Sequence, residues 1–472
     1  YGLQAIWYLV LPPSRWSILL LLAALSAVLA WIVWRSGSRR FDWRLSLVFS
    51  VLLLALPLSQ YLYSVCMAEM LLAVLVLTAT LAWGRYLDEP GWKWSITFSI
   101  LAVLSILTKA NALALAMLPP ISLLISRRWS LLKRASAWLP ALSVVALCGP
   151  WYAVTLNMLS NGPLAKGPRF WYTIAAVPRF SATLVDTVGL AIAVAAVVAM
   201  IVVIGKSPQR APEPDGYWVA LTSSVLSIMI FHWIVPASFA ARHLFIAVPP
   251  MMLLALQGLD LVARRAQRPL SSPSSRLAVL TLLTTILTVI LVFEMPHRSW
   301  HGYGAIAEVL TGQQDLADSV VLVVSDSLGE GALITEVALR EPRPGHIVLR
   351  SSKALSRSSW DGSNYQLLFT DPDDLASWLE QIPVGVLAVD ESVLGRRRPP
   401  ELDLLLSTLD THGTRWQKLG EFDMMRDGQN HPGALSLFVQ QGHQGSPRST
   451  ISLDLVEMLG RHITRQGNGQ DD

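Results

Sequence analysis

Long apolar segments separated by short clusters of charged residues extend from Ser17 to Phe293. A helix that crosses the roughly 30 Å hydrocarbon core of a bilayer needs about 20 predominantly apolar residues, so this pattern predicts about ten membrane-spanning helices. The predicted spans cover residues 16–34, 45–62, 67–84, 94–108, 110–126, 137–158, 182–204, 217–235, 242–263 and 276–294. Only a short turn at Thr108–Asn111 separates the fourth span from the fifth, which indicates a tight helical hairpin.

The hydrophobic pattern changes after His297, where short apolar strands alternate with helices. Predicted strands cover residues 320–324, 346–349, 385–389 and 435–439, and predicted helices cover 330–340, 371–381 and 400–412. This alternation is typical of a small α/β domain with a mainly parallel sheet. The sequence therefore predicts a membrane domain over residues 1–296, a soluble α/β domain over 297–442, and a partly disordered tail over 443–472.

Two loops of the predicted α/β domain follow strands, at Ser325–Gly331 and Asp390–Glu391. Ligands often bind beyond the carboxyl ends of strands in such sheets. Neither loop matches a dinucleotide-binding or phosphate-binding motif, so both are interpreted as plain loops. The domain itself is a candidate for binding an acceptor or a partner.

Composition agrees with a membrane protein. Of the 472 residues, 53% are hydrophobic and only 15% are charged, whereas a soluble domain carries about 25% charged residues. The net charge of +4 would suggest a nucleic-acid partner in a soluble protein. Here the basic residues lie in short loops between apolar segments, where membrane topology accounts for them, so we expect membrane lipids and no nucleic acid as partners.

Lys and Arg are distributed unequally between alternate loops. The set of loops that begins with Arg35–Arg44 contains far more of them than the other set, and is therefore predicted to be cytoplasmic. With this assignment, Tyr1–Arg15 and the C-terminal domain both lie outside the cytoplasm, on the outer side of an inner or plasma membrane. Because the chain begins at Tyr1 rather than Met, we expect one upstream helix and the outer loop after it to be missing.

Three ionisable residues lie at the predicted outer ends of spans, where a charge facing lipid is costly. Glu69 begins the third span and is interpreted as an acid that lines an outward-facing cavity; the alternative is a snorkelling or structurally paired acid. Lys109 and Arg242 are each suited to hold a phosphate group. For both, the alternative is a side chain that reaches the phosphates of bulk lipid.

Other polar and aromatic residues near these positions are weaker candidates. Tyr61 and Tyr63 precede the acid of the third span, and His243 follows the arginine of the ninth; all three are candidates for lining the same cavity. His243 and His232 are interpreted as structural in preference to catalytic. The segment Asn157–Phe180 is interpreted as an amphipathic helix on the membrane surface, with an entrance for a lipid donor as the alternative.

Motifs of soluble enzymes are missing from the sequence. The two cysteines, Cys66 and Cys148, form no CxxC pair, and no zinc-binding, P-loop or hydrolase motif is present. No metal ligand is therefore assigned.

Four segments resemble motifs of the GT-C glycosyltransferases and occur in the family's order. Tyr61–Glu69, followed later by Arg85–Tyr86, resembles the family's segment with an acid at the start of a span. Leu107–Ala110 is similar to the family's L-T-K-G, and Gly149–Tyr152 to its P-W-Y. Arg242–Pro250 is similar to its R-Y-L…P-P. Each is weak alone, but their spacing over residues 60–265 resembles the branch of protein O-mannosyltransferases and lipid A aminoarabinose transferases.

The resemblance implies a GT-C-like helical bundle that moves a sugar from a polyprenyl-phosphate donor to a glycan, lipid or protein acceptor at the cell envelope. It implies that Glu69 corresponds to the family's second acid, where Asp is commoner. It also implies that Lys109 and Arg242 hold the donor phosphate, with Ala110 replacing a usual Gly. The family's main catalytic acid belongs to the first outer loop, which this chain is expected to lack. A divalent metal is compatible with the resemblance.

Two other classes of function are considered. The first is a lipid or oligosaccharide transporter or flippase with the same outward cavity, and the second is a non-catalytic membrane scaffold that presents the α/β domain. Transporters often contain internal repeats, and the sequence shows no convincing repeat. A scaffold has no reason to keep Glu69, Lys109 and Arg242 on one side. The sequence therefore favours the glycosyltransferase.

Overall fold

The computed structural model describes most of the chain. The described residues are 2–155, 169–205, 215–236, 239–265, 273–293, 302–317, 319–341, 345–357, 365–382, 384–395, 398–426, 432–442, 451–454 and 462–465. The chain divides into two compact units, one formed by Tyr1–Leu156 with Lys166–Met295 and the other by Asn157–Ala165 with Pro296–Asp472. Each unit is treated by itself below.

The first unit is helical. Its α-helices are α1 (Gly2–Tyr8), α2 (Arg15–Gly37), α3 (Trp43–Ala55), α4 (Pro57–Ser64), α5 (Glu69–Asp88), α6 (Trp92–Thr108), α7 (Leu118–Ser126), α8 (Ala135–Val154), α9 (Phe170–Val188), α10 (Leu190–Gly205), α11 (Gly216–Ile234), α12 (Val248–Arg265) and α13 (Pro273–Phe293). Short 3₁₀ helices cover Ala110–Met117, Trp129–Lys133 and Ala241–Ala247. Side-chain caps mark some of the boundaries: Ser14 caps α2 and Asp42 caps α3.

Membrane-spanning length is reached by five of the described helices: α2, α5, α8, α11 and the continuous segment Ala241–Arg265. The number rises to seven if two bent pairs, α3 with α4 and α9 with α10, each count as one span. Three shorter apolar helices cover Trp92–Thr108, Ala110–Ser126 and Leu277–Ile290. Each predicted span overlaps one of these helices or pairs, and the chain is an integral membrane protein.

Two predicted spans are not straight. The second bends by 62° between α3 and α4, because Pro57 cannot continue the preceding helix and keeps Leu56 extended. The predicted span 182–204 is wrong as a single helix, since α9 and α10 meet at 114°. Gly189 lies between them with φ +83°, a conformation that favours glycine. The helix α9 also includes the second half of the proposed surface segment Asn157–Phe180; residues 156–168 lie outside the described residues.

The centre of the bundle is formed by α5, α11 and Ala241–Arg265, the most buried of the long helices. Small residues bring their backbones together, as is usual between helices in lipid. A Cβ added to Gly216 would lie 2.5 Å from the carbonyl oxygen of Gly84, and a Cβ added to Gly258 would lie 1.8 Å from that of Ala195. These contacts align α5 with α11 and α10 with α12, and so set the positions of the helix ends.

The second unit is an α/β fold. Its main sheet has the strand order β2 (Ile347–Arg350), β1 (Val320–Val324), β5 (Val384–Asp390), β7 (Gly433–Gln440), β6 (Trp416–Met424). Helices α14 (Tyr303–Gly312), α15 (Ser327–Ala338), α16 (Ser351–Ala354), α17 (Pro372–Gln381) and α18 (Pro400–Thr411) accompany it. Apolar side chains of the sheet enter two separate buried clusters.

The expectation of a mainly parallel sheet is wrong for this unit. Strands β2, β1 and β5 are parallel, but β7 and β6 extend the sheet in antiparallel pairings. Strand β6 is not among the strands predicted from the sequence, because it is an edge strand whose side chains are largely exposed and it has no continuous apolar segment. Two further two-stranded pairs are described, β3 (Ser356–Arg357) with β4 (Gln366–Leu367) and β8 (Ile451–Asp454) with β9 (His462–Arg465). The second pair lies in the tail, which was expected to be partly disordered.

Candidate functional site

Glu69 and Lys109 form an ion pair at one end of the helical unit. The Glu69 carboxylate begins α5 and is only 3% exposed, while the Lys109 side chain, at the end of α6, is 26% exposed. The lysine Nζ donates to Glu69 Oε1 at 2.5 Å. Lys109 adopts an extended conformation between α6 and the 3₁₀ helix Ala110–Met117, which turns its side chain back towards α5. Residues 40 positions apart in sequence are thereby joined.

Arg242 and His243 belong to the same part of the bundle, because the 3₁₀ helix Ala241–Ala247 packs against α5 and α4. Arg242 Nη1 lies 3.8 Å from the sulfur of Met67, two residues before Glu69. Its Nε is buried and has no hydrogen-bond partner within the described ranges. Arg242 also forms no ion pair with any described carboxylate. A guanidinium in this state is ready to donate to an oxyanion.

Two histidines and an asparagine complete the cluster. The Asn111 side-chain amide lies 2.9 Å from Nδ1 of His243, and the rings of His243 and His232 stack with centroids 6.3 Å apart. His232 Nδ1 lies 2.8 Å from the carbonyl oxygen of Ile228. Because a carbonyl oxygen only accepts hydrogen bonds, this nitrogen carries a proton, and Nε2 of the neutral ring is an acceptor. That Nε2 is buried with no partner among the described residues.

The structure thus brings together the three residues that the sequence singled out, with His243 beside them. Tyr61 packs half-buried against the apolar core of the bundle, whereas Tyr63 is exposed at the end of α4. Their role in lining a cavity stays a prediction. Asn111 was not predicted as a site residue, because a single Asn in an apolar turn matches no motif. The one feature of the sequence that points to it is its position two residues after Lys109.

The assembly can bind an anion. Lys109 and Arg242 supply cationic donors, and an ammonium has three N–H groups, so Lys109 can contact Glu69 and a phosphate oxygen together. Within the part of the chain that the structure describes, no three His, Cys, Asp or Glu side chains cluster closely enough to hold a metal ion. The described cluster itself contains two cations, two imidazoles, one amide and one carboxylate.

In the second unit, the two loops after strands β1 and β5 meet in a buried network. Arg426 Nη1 donates to Asp326 at 3.0 Å, and its Nη2 contacts Asp390 and donates to Ser325 at 2.9 Å. Tyr303 also donates to Asp390. Burial, with the nearby Asp390 carboxylate, raises the pKa of the Tyr303 hydroxyl. The loop residues are engaged with each other, and the interpretation of both as plain loops stays a prediction.

A second buried network lies at the first turns of α15 and α18. Glu330 accepts from Arg350 Nε at 2.9 Å and from the Ser351 hydroxyl at 3.0 Å. Glu401 accepts from the Tyr365 hydroxyl. Burial raises the pKa of the Glu401 carboxyl. Both carboxylates lie near the positive ends of helices, where negative charge is stabilised.

Comparison with known proteins agrees with this architecture. Residues 3–153 match the family described as dolichyl-phosphate-mannose-protein mannosyltransferase. No curated protein sequence matches the chain.

Two solved structures of ArnT from Cupriavidus metallidurans have a similar fold. The structure bound to undecaprenyl phosphate is 14% identical, with a TM-score of 0.52 over 93% of this chain and 87% of ArnT. The apo structure is also 14% identical, with a TM-score of 0.54 over 91% of this chain and 85% of ArnT. At this identity the likeness establishes the fold, and the fold class expected from the sequence is confirmed. The chain is an integral membrane protein whose fold is similar to that of ArnT.

Proposed function

We propose that the chain transfers a sugar from a polyprenyl-phosphate donor to an acceptor at the end of the bundle that contains Glu69, Lys109 and Arg242. The observation that carries the proposal is the convergence of these residues with His243 at one end of a GT-C fold. The structure of ArnT in complex with undecaprenyl phosphate supports the choice of donor class. The predicted topology places this end outside the cytoplasm, where no nucleotide sugar is needed.

The chemistry of the leaving group explains the two cations. When the bond between the sugar and the phosphate breaks, negative charge accumulates on the polyprenyl phosphate, and fixed cations stabilise that charge as it develops. Lys109 and Arg242 are proposed to contact the phosphate oxygens. Arg242 is the better placed of the two for a forked contact, since it has no described carboxylate partner.

Two roles are proposed for Glu69, and its ion pair with Lys109 supports one of them. As a general base, it would take the proton of an acceptor hydroxyl. As a positioning residue, it would hold the Lys109 ammonium towards the phosphate. The 2.5 Å contact with Lys109 supports the positioning role directly. The role as general base stays a prediction, and it depends on an acceptor that reaches the same carboxylate.

Binding of the lipid carrier tests the proposal without knowledge of the sugar. The purified chain in neutral detergent is titrated with undecaprenyl phosphate, and the dissociation constant is measured by native mass spectrometry. Loss of a charge-assisted hydrogen bond costs about 1.5–3 kcal/mol, so Lys109→Ala and Arg242→Ala should each weaken binding by about tenfold or more.

The matched control is Arg15→Ala, an exposed cation of the same set of predicted outer loops at the start of α2. It should bind undecaprenyl phosphate like the wild type. Wild-type binding in both Lys109→Ala and Arg242→Ala would contradict the proposed site. Transfer itself is followed as release of undecaprenyl phosphate from a panel of undecaprenyl-phosphate hexoses and pentoses, with the full-length protein in membranes.

One observation favours a second function. Two helix pairs bend sharply within the bundle, and interrupted helices are typical of transporters and flippases. A flippase would move fluorescent undecaprenyl phosphate across proteoliposome membranes without consuming a linked sugar. Movement without release of sugar would favour that alternative over the transferase.

A further inference from the structure

The other end of α5 contains a polar cavity that the proposed transfer reaction does not use. The helix has 20 residues, so at 1.5 Å per residue its two ends lie roughly 30 Å apart. The cavity has a volume of about 450 Å³ and is lined by residues from α2, α5, α6 and α11 and from the turn after α2. Its lining includes Arg39, Arg40, Arg85 and Tyr217.

One of these arginines is already engaged. Arg40 forms a two-point contact with Asp215, with Nη2 at 3.0 Å from Oδ1. Its guanidinium also stacks on the Tyr217 ring, 4.3 Å from the centroid. Asp88, the acid that lines the cavity, accepts from the backbone N–H of Gly216 at 2.7 Å. These contacts attach the start of α11 to α5 and give the cavity a rigid wall.

The other two arginines have no partner within the described part of the chain. Arg39 and Arg85 line the cavity with exposed side chains, and neither forms an ion pair or a hydrogen bond with any residue that the structure describes. Their guanidinium groups are therefore accessible to a ligand that enters the cavity. One cavity thus combines two accessible guanidinium groups with the wall formed by Arg40 and Asp215.

We propose that this cavity binds a phosphate oxyanion, supplied by the headgroup of an anionic phospholipid or by soluble phosphate. Guanidinium groups match phosphate oxygens through forked hydrogen bonds, and Arg39 and Arg85 can both turn such groups to one ligand in the cavity. The predicted topology places this end of α5 on the cytoplasmic side, where anionic lipids accumulate and basic pockets between helices bind their headgroups. The site is separate from the Glu69 cluster, and the proposal does not depend on the proposed function.

The test compares ligands and variants of the full chain in a neutral detergent. Dioleoylphosphatidylglycerol, dioleoylphosphatidylcholine and inorganic phosphate are titrated separately, and binding is measured by native mass spectrometry and as the shift of the thermal midpoint. The double variant Arg39→Gln/Arg85→Gln should weaken binding of the anionic ligand by about tenfold or more. Its matched control, Arg35→Gln/Arg44→Gln, removes two charges from the same predicted face outside the cavity and should bind like the wild type.

A second variant distinguishes a loss of binding from a folding defect. Arg39→Lys/Arg85→Lys keeps both charges but removes the forked donors, and should weaken binding of the same ligand severalfold while the thermal midpoint without ligand is maintained. A shift with phosphatidylglycerol alone assigns the site to a lipid headgroup, and an equal shift with inorganic phosphate assigns it to soluble phosphate. Wild-type affinity in the cavity double variant, or an equal loss in the control pair, would overturn the proposal.

Discussion

The ion pair between Glu69 and Lys109 can be tested for stability and for binding in the same experiment. In Lys109→Met, the Glu69 carboxylate stays in a place that is 3% exposed and loses its cation. Breaking a buried ion pair by removing one partner costs about 3–5 kcal/mol. Because the Lys109 side chain is 26% exposed, water screens part of the pair, and we expect a loss at the low end, about 3 kcal/mol.

The double variant Glu69→Met/Lys109→Met removes both charges. Replacement of a buried ion pair by hydrophobic groups of similar size is often neutral or stabilising, so the double variant should recover to within about 1 kcal/mol of the wild type. Donor binding should not recover, because the cation that contacts the phosphate is still missing. The two readouts therefore separate the structural contribution of the pair from its contribution to binding.

The assay uses four proteins: the wild type, the two single variants and the double variant. Unfolding is followed by tryptophan fluorescence in neutral detergent, and undecaprenyl phosphate binding is measured on the same preparations. An unchanged midpoint in Lys109→Met would show that the pair does not form. Recovery of both stability and binding in the double variant would show that the pair is structural only, and the phosphate assignment of Lys109 would then fail.

Three further predictions concern packing, a buried network and pH. Gly258→Ala would place a Cβ 1.8 Å from a backbone carbonyl of α10, so it should destabilise the protein by about 1–3 kcal/mol. Gly149→Ala, in a helix with open space around it, should not lower the thermal midpoint. Arg426→Met leaves Asp390 buried without its cation, and should destabilise the second unit by about 3–5 kcal/mol in denaturant titrations. Burial raises the pKa of Glu401 above its ordinary value of 4.5, so the folded state binds more protons than the unfolded chain and the free energy of unfolding should fall as pH rises above 4.5. Glu401→Gln should flatten that fall in thermal midpoints measured across the same pH series, and an unchanged slope would contradict it.

The membrane character, the approximate helices and the candidate residues were predictable from the sequence for a local reason. A helix in lipid satisfies its backbone hydrogen bonds within one segment, so a single apolar segment is enough to predict it. A charge at the end of such a run is conspicuous for the same reason, which is why Glu69, Lys109 and Arg242 could be named in advance. The strands β1, β5 and β7 were visible because buried strands are continuous apolar runs.

Other features depended on contacts between distant parts of the chain, and only the tertiary structure decided them. The direction of α9 depends on a backbone conformation at Gly189, and strand β6 is a strand because β7 pairs with it. The partners of Lys109 and of Arg40 lie 40 and 175 residues away in sequence. Helix packing chooses such partners, since close approach at Gly84 and Gly216 determines which helix ends meet. Apolar periodicity contains no information about that choice. The charged residues could therefore be identified from the sequence, whereas their partners are determined by the packing of the bundle.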